Sequence, residues 1–180
     1  MWLFLHDYFF QANSFMKYFL FFCAFVFSGT AAFAQKHDVE VEDGEILVDD
    51  TPFANIERDG CGFGDAQCAW YISNLQGKKL LTVRQMVFKD PIERSASNKE
   101  GTVVYFQYTF SGSDAKAETA PVGIGKRDEK VATRVVKARL IKDSALEPDV
   151  VADFIAENGT PYSDRRKAIG GPDVIIINNR

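Results

Sequence analysis

The sharpest alternation of hydrophobic and polar positions lies in TVVYFQYTF, residues 102–110, where Val104, Phe106, Tyr108 and Phe110 share one face. Such a period of two predicts a strand with that face buried. Val103 and Tyr105 make the opposite face partly apolar as well, which predicts a central strand or a second covering layer. Upstream, AWYISNLQGKKLLTVRQMVF predicts a hairpin turning at Asn74-Leu75-Gln76-Gly77, with Asn at the first turn position and Gly where φ is often positive. Its return strand runs from Lys79 to Phe88, and Asp90-Pro91 ends it. EILVDDTPFANIE predicts an earlier hairpin around Asp49, Asp50, Thr51 and Pro52, and Val39 and Val41 a short first strand.

The period then changes. Residues 111–127 have the composition of a linker. Over 128–141 the apolar positions Val131, Ala132, Val135, Val136 and Leu140 gather on one side of a helix. Asp128 and Glu129 stand at its start and Lys137 and Arg139 toward its end, as the macrodipole favours. A second helix is predicted over 148–158, with Pro148 in its first turn and Gly159 past its end. PYSDRRKAIGGPD reads as irregular, and the run at 173–178 as a terminal strand. Strands over 39–110, then helices, then a last strand predict an α+β fold: an antiparallel sheet of about five or six strands with a helical pair on one face. A β-sandwich with peripheral helices is the alternative.

The N-terminus carries a different signal. Met16-Lys17, an apolar run over 18–27 and Ala32-Phe33-Ala34 form the three parts of a secretory leader, so residues 1–34 are expected to be removed and 35–180 to fold as one domain. His6 and Asp7 fit that pattern badly, which points to Met16 as the true start; intact mass of the precursor decides between the two. The apolar run is about half the roughly 20 residues a membrane span needs. Export predicts a periplasmic or secreted protein that meets the membrane only through its leader.

Charge and cysteines refine this picture. The net charge of −4 survives removal of the leader, which takes one lysine and one aspartate with it, and no basic stripe invites nucleic acid. Cys23 leaves with the leader. Cys61 and Cys68 remain, spaced C-x6-C around two glycines, and an oxidising compartment predicts a disulfide between them. So short a loop contributes less than the ~3 kcal/mol of a fifteen-residue one. A redox motif would need C-x-x-C, and a zinc site more ligands than two cysteines and His37.

DGEILVDDTPFANIE, the aromatic strand leading into NLQGKKLL, and KVATRVVKARLIKD followed by LEPDVVADFIAENG resemble a group of short exported proteins of Gram-negative bacteria that have no defined function. The likeness covers most of residues 43–159. It implies one exported domain and no activity.

Searching for chemistry yields little. Ser113-Asp114-Ala115-Lys116 matches S-x-x-K but sits in polar surroundings, and Gly123–Arg127 lacks the first glycine and the hydroxyl residue of a phosphate loop. Asp43, Asp49, Asp50 and Asp59 crowd the turns without calcium-loop spacing. Arg165, Arg166 and Lys167 form a small basic cluster read as a solvated loop. Trp70, Tyr71, Tyr105 and Tyr108 are the candidates for a ligand groove, against the plainer reading that strand aromatics are core. No catalytic residue, metal ligand or cofactor is assigned. The reading is an exported, non-catalytic domain acting in binding or envelope assembly, with an envelope protein or a glycan as partner. The alternatives are a carboxylate-dependent hydrolase acting on a glycan and an interaction protein whose terminal strand extends a partner's sheet.

Overall fold

The computed structural model describes residues 37–61, 68–123 and 125–170. The leader and the terminal strand expected at 173–178 lie outside them. Seven strands form one antiparallel sheet in sequence order: β1 (Val39–Glu42), β2 (Glu45–Val48), β3 (Thr51–Asp59), β4 (Ala69–Ser73), β5 (Lys79–Lys89), β6 (Thr102–Phe110) and β7 (Lys116–Thr119). Every strand of this sheet pairs with its chain neighbour. The β2–β3 turn is tighter than the sequence suggests. Asp49 and Asp50 both take positive φ (50° and 61°), the geometry of a two-residue hairpin, and Pro52 already belongs to β3. The turn between β4 and β5 falls where it was expected, with the Gly77 amide donating to the Asn74 carbonyl at 2.9 Å.

Helices α1 (Arg127–Lys137) and α2 (Pro148–Asn158) cover one face of the sheet. That face carries Trp70, Ile72, Leu81, Val83, Phe106, Tyr108 and Phe110, all buried, so the period-two prediction for 102–110 holds at Phe106, Tyr108 and Phe110, while Val104 is half-buried. Phe154 of α2 meets Tyr108 and Phe110 edge-on, with ring centroids 5.3 and 6.2 Å away. Val131, Ala132 and Val135 are the buried stripe of α1. An α+β sheet with a helical pair on one face is therefore the architecture.

Three further details differ from the sequence reading. The first helix ends at Lys137, not near 141. Arg139 takes φ 54°, which turns the chain into a short ribbon, β8 (Ile141–Lys142) with β9 (Ala145–Leu146), and Leu140 is buried from there. The supposed linker contains β7, which pairs with β6 through Phe106↔Thr119 to Thr109↔Lys116. The supposedly irregular tail contains α3 (Pro161–Ala168). This last helix lies against the other face of the sheet, where Tyr162 stacks on Tyr105 with ring centroids 4.9 Å apart and planes within 7°. It is the second covering layer that Val103 and Tyr105 announce. Among the described residues no helix is long and apolar enough to cross a membrane.

Candidate functional site

The densest polar arrangement lies between α3 and the sheet. Pro161 opens α3, and its N-cap, Thr160, makes no capping side-chain hydrogen bond. The exposed amides of the first turn are met instead by Glu118 of β7, which is only 2% exposed. Its Oε2 accepts from the amides of Tyr162 (3.0 Å) and Ser163 (2.9 Å), and its Oε1 accepts from Gln107 Nε2 (3.1 Å) and from the Ser163 hydroxyl. The backbone helps: the Glu118 amide donates to the Gly159 carbonyl at 2.9 Å. A carboxylate at a helix N-terminus is also favoured by the macrodipole.

Arg165 and Arg166 then point to different environments. Arg165 donates to the buried Asp90 through Nε at 2.5 Å and to Glu93 through Nη2 at 2.8 Å, and these two carboxylates, Glu93 foremost, hold the guanidinium firmly charged. Asp90 spends its other oxygen on the Ile92 amide (2.8 Å), capping the 3-10 turn Pro91–Glu93. Arg166 is buried on the sheet side of α3. Its Nε and Nη1 have no hydrogen-bond partner among the described residues, and the same holds for the Tyr105 hydroxyl beside it. Lys167 is exposed. The three residues read as one solvated cluster thus have three separate roles. The missed signal is tertiary, because Glu118 lies 44 residues from Tyr162.

The four aromatic groove candidates do not line one groove. Trp70 and Tyr108 are fully buried under α1 and α2, and Tyr105 is fully buried on the opposite face, beneath α3. Trp70 donates its indole N–H to Asp128 Oδ1 at 2.8 Å, fastening β4 to the start of α1. Tyr71 alone reaches the surface. It borders a hollow of about 470 Å³ with Asn55, Glu57 and Lys79, whose ammonium sits 4.4 Å above its ring.

A second groove, of about 580 Å³, runs between residues 121–123 and α1. Pro121, Val122 and Ala138 form its apolar part, and Lys130, Arg134 and Lys137, one helical stripe, supply its charge. Arg134 is held in place by the Ala120 carbonyl (2.7 Å) and the Thr119 hydroxyl, and Lys130 by the Gly123 carbonyl (3.1 Å). The acceptors of Arg134 are neutral, so they fix its position without neutralising its charge.

The remaining candidates have structural places. Cys61 and Cys68 form the expected disulfide, with Cα atoms 4.5 Å apart. Ser113 accepts from the Ala115 amide (3.1 Å) in an exposed turn, and Lys116 opens β7, so the two do not form a nucleophile pair at a helix start. Asp43, Asp49 and Asp50 hold positive-φ turn positions. Asp49 also accepts from His37 Nδ1 (2.7 Å) and the Asp38 amide (2.9 Å), bonds that hold its carboxyl below the ordinary value. Among the described residues no three His, Cys, Asp or Glu side chains gather as a metal site. No family model, no curated protein and no solved structure matches this chain.

Proposed function

We propose that this protein is an exported, non-catalytic domain that binds an acidic segment of a partner protein in the cell envelope, along the groove beside α1. The observation that carries the reading is that groove: an apolar floor flanked by Lys130, Arg134 and Lys137, with Arg134 fixed by neutral acceptors. Preorganised cations over apolar surface suit a chain that alternates carboxylates with aliphatic side chains. The Cys61–Cys68 bridge supports export, because such bonds persist in oxidising compartments. The deeply buried carboxylates support binding over hydrolysis. Glu118 and Asp90 are committed to capping helical turns and to Arg165, which leaves neither free to serve as an acid or a base.

The test is fluorescence anisotropy with a labelled peptide of alternating Glu and Leu. The expected result is saturable binding that weakens with salt and falls about tenfold in Lys137→Glu, roughly the effect of one reversed interfacial charge. Binding unchanged in Lys137→Glu, or none by the wild-type protein, overturns the proposal.

A further inference from the structure

The groups left over beneath α3 share one chemical character. Arg166 keeps only 6% of its surface exposed, and its Nε and Nη1 have no partner among the described residues. The Tyr105 hydroxyl, on the strand directly below, has none either. All three atoms can donate. The neighbouring acceptor is already occupied, because both oxygens of Glu118 accept two hydrogen bonds each. What the place lacks is therefore acceptor capacity: the Glu118 carboxylate has no lone pair to spare for the buried guanidinium. Buried polar groups in folded proteins are almost always satisfied, and an unpaired buried charge is among the costliest defects a fold can hold.

We propose that Arg166 and Tyr105 form the binding site for a small oxyanion of the carboxylate or phosphate class. Arg166 offers it the unpaired, charge-assisted N–H donors of Nε and Nη1. Tyr105 donates to a further oxygen. Stacking of Tyr162 on Tyr105 and the Glu118 clamp on the first turn of α3 fix both donors before the anion arrives. Arg165 cannot substitute, because Asp90 and Glu93 already hold it. An ion here ties α3 to the sheet, so its binding energy adds to the stability of the folded chain.

The experiment is thermal unfolding of the full chain at constant ionic strength while inorganic phosphate, and separately acetate, replaces chloride. The wild-type midpoint is expected to rise with one of these anions and to keep rising with its logarithm, as linkage to a single site requires. Arg166→Met is expected to abolish the rise. Tyr105→Phe is expected to weaken apparent affinity about fivefold, the loss of one hydrogen bond. Lys167→Met, altered at the exposed neighbour, retains the wild-type response. Should Arg166→Met fail to fold, Arg166→Lys gives the same reading, with an affinity at least about tenfold weaker because the guanidinium's planar set of donors is gone. A wild-type midpoint indifferent to both anions overturns the proposal, and so does a response that survives in Arg166→Met or keeps its wild-type affinity in Arg166→Lys.

Discussion

Glu118 shows how one side chain joins elements distant in sequence. It stands in β7 and caps a helix that begins 43 positions later, at Pro161. Four donors converge on it: the amides of Tyr162 and Ser163, the Ser163 hydroxyl and the Gln107 amide group. Glu118→Ala leaves all four unpaired in a buried place. Each unsatisfied buried donor costs about 1–3 kcal/mol, and water entering the gap recovers part of it, so the expected loss is about 3–5 kcal/mol. Glu118→Gln keeps an oxygen for the two helix amides but presents an NH2 group to Gln107 and Ser163, and is expected to lose about half as much. Urea unfolding of the three proteins checks the order; equal stability of wild type and Glu118→Ala would refute the cap. None of this was readable from the linker-like stretch around Glu118, because the carboxylate's value is set by a partner the local pattern does not contain.

Turn geometry decides how well each element is fixed, and the two hairpin glycines of β5 make the contrast measurable. Gly101 has φ 65°, and a Cβ there would lie 2.1 Å from the Asp90 carbonyl oxygen, in the loop that closes β5 onto β6. The Asp90 amide also donates to the Gly101 carbonyl at 2.8 Å, so neither backbone segment can retreat without breaking that bond. Gly77 has φ 80° but open space around it. Gly77→Ala is expected to cost about 1–2 kcal/mol, the left-handed penalty alone. Gly101→Ala adds a backbone collision and is expected to cost at least about 3 kcal/mol. Chemical denaturation of both variants tests this, and equal losses would contradict it. The same elements show what a sequence carries at this scale. The strand at 102–110 and the turn at 74–77 were legible because burial of one face and a positive φ leave local marks. Helix α3 was not legible. PYSDRRKA has no apolar stripe, and its helicity depends on Glu118 and on Tyr105. The first helix was overextended because Leu140 continues its apolar period, although that side chain is buried after Arg139 has turned the chain.

For the molecule as a whole, the sheet is covered unequally, by α1 and α2 on one face and by α3 over part of the other, and each layer shields one tyrosine of β6. Tyr108 lies under α2, Tyr105 under α3. Burial holds both phenols above their ordinary value of 10.0. For Tyr108, the Arg134 charge pulls back; for Tyr105, the Glu118 charge pushes further up and the Arg166 charge pulls back. The linkage sign follows. Above pH 10 the unfolded chain loses these two protons while the folded chain keeps them, so the unfolded state binds fewer protons and stability falls as pH rises. Below that pH both states are protonated and the pair contributes no pH dependence. Each retained proton steepens the fall by up to about 1.4 kcal/mol per pH unit, and the two together by up to about 2.7. Tyr108→Phe and Tyr105→Phe should each remove about half of that slope, and the double variant nearly all of it. Urea midpoints measured in steps from pH 8 to pH 11.5 read this directly. If only Tyr108→Phe flattens the alkaline limb, then Tyr105 ionises as readily in the folded chain as in the unfolded one, and α3 does not seal its face of the sheet. If both do, the two unequal layers exclude water equally well, and eight helical residues with little apolar surface suffice as a lid because Glu118 holds them down.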